Sequence, residues 1–172
     1  GYALIAVAAG AEYGAAALLV FMTTYVIASI GLFGGVLSMR REGGMVESVD
    51  ELAGLVRRRT GLAIALTVLL ISVAGFPLAV GFLGKLVVFE AGWNAGLLPL
   101  LIILVLSSVI AFGYYLRIVL IMWVKEPVER FQPIDPVVSA AVYLAAIATV
   151  ALFIFVAPFL DWAAQASAGF IQ

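Results

Sequence analysis

The sequence predicts an all-α fold, a polytopic bundle of transmembrane helices with four full spans, a partial fifth and one helix broken at a proline. Three observations predict it. Of 172 residues, 66% are apolar and only 11% charged, where a soluble domain carries about 25% charged residues. Mean hydropathy is +1.24. The apolar residues fall into four runs, each longer than the ~20 helical residues that cross a hydrocarbon core. These runs must be helices, because lipid offers backbone groups no partner and four spans are too few for a closed barrel.

The expected elements follow in order. The stretch from Gly1 to Gly10 is apolar but too short to span, and it lacks the basic start of a signal peptide. It is expected to be the tail of a helix, which makes residues 1–172 one membrane domain and a fragment of a larger subunit. Spans are expected at about 14–39, 61–89, 97–124 and 136–160. Asp135 followed by Pro136 is a good N-cap before a proline at the first helical position, so the last span starts there. In the loop 40–60, Ser48 and Glu51 form a capping-box pattern, with Val49, Leu52, Ala53 and Val56 at helical spacing. A short amphipathic helix lying on the membrane surface or on a partner is expected there. Gly31 and Gly35 form a G-x-x-x-G that suits close approach of a second helix.

The connections alternate in charge. Residues 39–60 and 125–135 are charged, and 90–96 contain no Lys or Arg. With four spans, Arg40, Arg41, Arg57, Arg58, Arg59, Lys125 and Arg130 share one side and the other side has no basic residue. By the positive-inside rule the basic loops face the cytoplasm, and Glu12 and Gln172 face outward. A net charge of −1 excludes a nucleic-acid binder, which needs a basic face. The chain has no Cys and no His. Thiolate-held iron–sulfur clusters, His-ligated haem, the usual zinc sites and disulfides are thereby removed.

Only two basic residues lie inside the apolar runs, Lys85 and Arg117, and an ionisable group at membrane depth is by default a candidate functional site. The run that holds Lys85 is interrupted at Gly75-Phe76-Pro77. There the proline removes a backbone hydrogen bond and crowds the carbonyl of Val73, so a kink or unwound turn is expected. Broken helices of this kind are tolerated where they are buried in protein or line a wet cavity. Lys85 lies eight residues beyond Pro77, about 12 Å along an ideal helix. Two readings stand: it snorkels to the outer interface, or it is buried and functional. Helical side chains lean toward the helix N-terminus, here toward the membrane centre, and Glu90 is off the same face, which favours burial. A buried amine holds its proton more or less tightly according to what stands beside it, which is the requirement for a proton relay. Gly81 and Gly84 leave room near it for water or for a packed helix. Arg117, after Tyr114 and Tyr115, stays charged under all conditions and suits interfacial anchoring. Asp161 is expected at the outer interface. Thr23, Thr24, Tyr25, Ser72, Ser107 and Ser108 supply hydroxyls either to a hydrated path or to helix–helix contacts.

The stretch from Ser72 to Lys85, with Gly75-Phe76-Pro77 and Gly81-Phe82-Leu83-Gly84-Lys85, resembles the broken-helix signature of the antiporter-like membrane subunits of respiratory complex I. The loop from Gly43 to Leu55 and the segment from Ser107 to Trp123, with Tyr114-Tyr115-Leu116-Arg117, resemble the N-type branch of that family, the counterpart of mitochondrial subunit 2. A lysine at position 85, where the M-type branch carries Glu, agrees. Phe76 and Leu78 depart mildly from the family pattern. The resemblance covers nearly the whole chain and implies the C-terminal part of a proton-translocating subunit of NADH:quinone oxidoreductase in the bacterial inner membrane. It implies Lys85 as a proton-transfer residue at the outward end of a half-channel, with Gly75 and Pro77 at the break and Gly81, Gly84, Arg117, Tyr114 and Tyr115 supporting it. It implies no cofactor in this chain, with FMN, iron–sulfur clusters and quinone in other subunits, and the remaining membrane-arm subunits and lipid as partners. Two alternatives remain, a subunit of a multisubunit cation/proton antiporter and a structural membrane subunit without a proton path.

Overall fold

The computed structural model describes residues 1–41, 44–127, 132 and 135–169. Among them the chain is all-helical apart from a two-residue pair of strands. Helix α1 (Tyr2–Ala8) is followed by α2 (Gly10–Ser38), β1 (Arg40–Arg41), β2 (Gly44–Met45), a 3-10 turn (Val49–Leu52), α3 (Leu55–Arg58), α4 (Thr60–Ala74), α5 (Val80–Asn94), α6 (Leu98–Val124), α7 (Pro136–Ile154) and α8 (Val156–Ala168). Among the described residues three helices, α2, α6 and α7, are each long and apolar enough to cross a membrane. The run expected as one span at 61–89 is divided between α4 and α5, fifteen residues each. At 1.5 Å per residue each half is about 22 Å long, short of a ~30 Å hydrocarbon core.

Helix α2 is the axis of the bundle, packing against α1, α4, α5, α7 and α8. Its loop-side end joins α4 and α7 in the main core, where Leu66, Leu69, Leu70, Met39, Leu55 and Met122 are fully or almost fully buried. Its other end packs Phe21 and Ala17 against α1 and α5, and Val20 against Phe159 and Ala163 of α8. The G-x-x-x-G reading holds here. A Cβ at Gly31 would stand 2.5 Å from Ala145 Cβ and 2.8 Å from Leu69, and one at Gly35 2.8 Å from Leu66, whereas Gly34 faces open space. The two glycines let α4 and α7 seat against one face of α2. Helix α6 is peripheral and keeps Ile102, Ile103, Leu106, Val109 and Ile110 exposed, as a helix facing lipid does.

Helix α1 does not run straight into α2, and three local expectations are revised after it. The chain reverses at Ala9 and Gly10, the latter at φ +82, so that a Cβ at Gly14 would fall 1.8 Å from the Ala6 carbonyl oxygen. The apolar run 136–160 is not one helix, because α7 stops at Ile154 and α8 starts at Val156. Pro158 explains the interruption: it cannot donate to the Ile154 carbonyl, and its ring crowds that oxygen. The capping box is displaced, with Ser48 Oγ accepting from the Asp50 N–H (3.3 Å) and Glu51 Oε2 accepting from the Glu47 N–H (3.1 Å). The expected amphipathic helix is interrupted at Gly54, which adopts φ +64. The segment packs against its own bundle. Leu52 and Leu55 are buried, and the Gly54 N–H donates to the Ile121 carbonyl of α6 at 3.2 Å. Lys125 to Asp50 and Arg57 to Glu126, each at 2.7 Å, tie the same loop to the end of α6. The Asp135 cap forms as expected, its Oδ1 accepting from the Val137 N–H at 2.8 Å. Arg130 and Gln172 lie outside the described residues.

Candidate functional site

The site is built around the interruption between α4 and α5. Helix α4 stops because Gly75 enters the left-handed region (φ +81, ψ 48). The N–H groups of Gly75 and Phe76 both return to the Ile71 carbonyl, at 3.2 and 3.1 Å, and Gly75 N–H also reaches Ser72 O at 3.0 Å. This is a Schellman-type end, and it consumes carbonyls of the last turn that would otherwise be orphaned. Pro77, which has no N–H to continue a helix, follows two residues later. The Ala79 N–H donates to Phe76 O at 2.9 Å before α5 begins at Val80.

The first turn of α5 is then pressed onto the last turn of α4. The Gly81 N–H donates to Ser72 Oγ at 3.2 Å, and a Cβ on Gly81 would sit 1.9 Å from the Ser72 carbonyl oxygen. On the next turn a Cβ on Gly84 would sit 2.9 Å from Thr24 Oγ1 and 3.4 Å from Phe21 Cα of α2. Both glycines therefore admit neighbouring helices. Thr24 is buried and its hydroxyl is spent on its own helix, with Val20 O and Phe21 O both at 3.0 Å.

This packing sets the direction of Lys85. The half-buried side chain runs back toward the interruption and its Nζ donates to the Ala74 carbonyl at 2.8 Å. Ala74 is the last residue of α4, so the ammonium sits at the negative end of that helix's dipole and satisfies one of its terminal carbonyls. Gly75 serves twice, because a Cβ there would stand 2.8 Å from Nζ. The ammonium also lies 5.2 Å from the centroid of the Tyr2 ring, within cation–π range. Tyr2 stacks on Phe21 at 5.4 Å and Phe21 on Tyr25 at 5.6 Å, so a column of rings from α1 and α2 walls the amine. Beside it a cavity of about 350 Å³ opens between the break and α6, lined by Gly75, Pro77, Lys85, Leu104, Ser108 and Phe112. Among the described residues the amine's partners are thus a neutral carbonyl and a ring rather than a carboxylate. Such partners support a positive charge without fixing it as an ion pair would.

The structure brings Lys85, Gly75, Pro77, Gly81 and Gly84 together, with Ser72 and Thr24 packed against them. Tyr114, Tyr115 and Arg117 are not among the residues lining the cavity beside Lys85. Arg117 and Tyr114 are exposed on α6, and Arg117 acts electrostatically on Asp50 in the loop. The Tyr114 and Tyr115 rings meet at 4.5 Å, and Tyr115 lines a different cavity with Tyr25 and Val49. Asp161 is exposed on α8, and Ser107 Oγ donates to Leu104 O within α6. Tyr2 is the site residue that sequence reasoning missed. Nothing along the chain links position 2 to position 85; only the reversal at Gly10 brings them together.

The transmembrane family described as NADH:quinone oxidoreductase/Mrp antiporter matches residues 1–111. The chain is 51% identical to NADH-quinone oxidoreductase subunit N of Hirschia baltica over 148 residues, 86% of this chain and 31% of that protein. It is 43% identical to NADH-quinone oxidoreductase subunit N of Maricaulis maris over 162 residues, covering 94% of this chain and 33% of that one. In the solved respiratory complex I from Thermus thermophilus with bound aureothin, one chain superposes with a TM-score of 0.80 at 31% identity, covering 94% of this chain and 36% of its own length. The chain thus spans about a third of the length of the relatives it matches. A matched segment that takes in α1 to α5 and the first half of α6, and so the whole break with its lysine, means that this chain belongs to the NADH:quinone oxidoreductase/Mrp antiporter transmembrane family.

Proposed function

We propose that the chain is the C-terminal part of a proton-translocating, antiporter-like subunit of the N type in the membrane arm of an NADH:quinone oxidoreductase, and that Lys85 is one of its proton-transfer groups. The observation that carries the reading is the direction of Lys85, whose ammonium is turned inward onto the Ala74 carbonyl at the helix interruption. In this reading α4 and α5 together make one crossing broken at Gly75 and Pro77, which with α2, α6 and α7 gives four, and α1 belongs to a fifth. The loop that carries Arg40, Arg57, Arg58 and Arg59 faces the cytoplasm of a bacterial inner membrane. The partners are the other membrane-arm subunits and the surrounding lipid. FMN, iron–sulfur clusters and quinone belong to partner subunits, and this chain holds none.

Lys85 exchanges a proton between the polar interior of the arm and the outward aqueous side. Moving one charge against 100 mV requires about 2.3 kcal/mol, which redox chemistry elsewhere must supply. The chain's own contribution is to keep the amine out of bulk water, hold it at a helix terminus and leave it free of a locking carboxylate. Gly81 and Gly84 position α5 for this, and Tyr114, Tyr115 and Arg117 support it from the loop-side half of α6, outside the cavity beside Lys85. The test is Lys85→Ala in the intact complex, with protons pumped per NADH oxidised as the readout. Reduced stoichiometry or rate is expected, and unchanged values defeat the role. The family description also covers cation/proton antiporters; NADH oxidation by the purified native assembly separates the two, because an antiporter assembly contains no flavin.

A further inference from the structure

A second concave surface lines the first half of α4, from Gly61 to Val68, whereas the lysine site lies at that helix's other end, at Ser72 and Ala74. Between α4 and α7 runs a groove of about 480 Å³ with an almost wholly apolar lining. Its floor is made of small residues, Gly61 and Ala65 on α4 and Ala146 on α7, and its walls include Ile147 and Ile154. Along α7 it extends from Tyr143 to Phe155, twelve residues or about 18 Å at helical rise. One leaflet of a hydrocarbon core is about 15 Å deep. The groove therefore has the length and the chemistry of a single lipid tail.

Its loop-side end is marked by polar groups. The Tyr143 hydroxyl lies 2.9 Å from where a Cβ of Gly61 would be, placing a phenol at the groove's mouth as tyrosines sit at headgroup level. Arg58 ends α3 three residues before Gly61 and is exposed. The neighbouring cations Arg57 and Lys125 are engaged by Glu126 and Asp50, whereas Arg58 makes no ion pair with a described residue. A tail-length apolar groove, with an exposed guanidinium three residues before the lining residue Gly61, is complementary to an amphiphile with a negatively charged head.

We propose that the α4–α7 groove holds one acyl chain of an anionic phospholipid from the loop-side leaflet, with its phosphate met by Arg58. The site binds one molecule in a defined pose, unlike the open apolar face of α6. It is independent of any role for Lys85.

The test uses the intact complex reconstituted in bilayers of phosphatidylcholine doped with phosphatidylglycerol, with a benzophenone amino acid incorporated in place of Ile147. Irradiation is expected to capture phospholipid on this subunit, with phosphatidylglycerol enriched over its bulk fraction. In an Arg58→Gln background the enrichment should fall about fivefold, the weight of one basic residue beside an anionic lipid, while Arg40→Gln leaves it unchanged. Ala65→Trp, which fills the groove floor, should abolish capture at Ile147. Cross-linking to another polypeptide overturns the proposal, because a partner helix then covers the groove. Capture of lipid with no headgroup preference, or a preference that survives Arg58→Gln, overturns it as well.

Discussion

Replacing Gly81 by alanine is the sharpest perturbation of the lysine site. The new methyl would meet the Ser72 carbonyl oxygen at 1.9 Å, its carbon at 2.7 Å and its Oγ at 2.9 Å. Two of these are backbone atoms, so no rotamer change relieves the overlap. Reaching an ordinary contact of 3.4 Å requires α4 and α5 to separate by about 1.5 Å. A shift of that size in the direction of the contact takes Lys85 Nζ from 2.8 Å to beyond hydrogen-bond range of Ala74 O. It also breaks the Gly81 N–H to Ser72 Oγ bond. Overpacking of this kind destabilises by about 1–3 kcal/mol, and displacement of a reacting group by about 1 Å can lower a rate by roughly a hundredfold. The control is Gly34→Ala in α2, where nothing lies within 4 Å and the helix gains up to about 1 kcal/mol in propensity. Thermal stability of the purified complex and protons pumped per NADH are measured for both variants. If Gly81→Ala matches Gly34→Ala in both, the α4–α5 contact does not position the lysine and the reasoning is wrong.

Gly54→Ala forces a side chain into φ +64 and against the Pro127 backbone nitrogen at 2.5 Å, so it should cost about 1–3 kcal/mol and expose the 40–60 loop to protease; an unchanged cleavage rate argues against the packed loop. Trp123→Phe removes the Nε1–H to Thr67 Oγ1 bond of 2.8 Å between α6 and α4, for a loss of about 0.5–1.5 kcal/mol in denaturant unfolding; a larger loss would mean that the indole does more than this bond. The hydrogen bond and charge of Lys125 hold the Asp50 carboxyl below the usual carboxylate value. The pair's contribution is therefore complete above about pH 4 and fades as pH falls through the lowered value. Lys125→Ala should move the Asp50 titration, followed by carboxyl NMR, upward toward the ordinary value, and an unmoved midpoint removes Lys125 as the cause.

What was legible in the sequence was whatever depended on near neighbours along the chain. Gly75 and Pro77 announce a helix end by backbone conformation and a missing donor, and the N-cap at Asp135 follows from its own side chain. Gly31 and Gly35 share a helical face by spacing alone, though not which helices they receive. Pro158 was equally local and equally informative, yet the unbroken apolar character of 136–160 hid the division at Phe155. In the loop the amphipathic spacing after Ser48 points to a helix, but the left-handed Gly54 stops it whatever that pattern promises. Tyr2 beside Lys85, and Arg117 apart from it, were beyond reach: both depend on which helices become neighbours. That is set by the reversal at Gly10 and by the small-residue faces of α2 and α5.

The Ala74 carbonyl that receives the Lys85 ammonium is main chain, and this limits what genetics can say about it. No codon change deletes that oxygen, so substitutions reach the contact only through the lysine or through the packing that holds the two helices together. Its other half would yield to a backbone ester at the 74–75 linkage, which leaves every side chain as it was but both weakens the acceptor and removes the Gly75 N–H that returns to Ile71 O and Ser72 O.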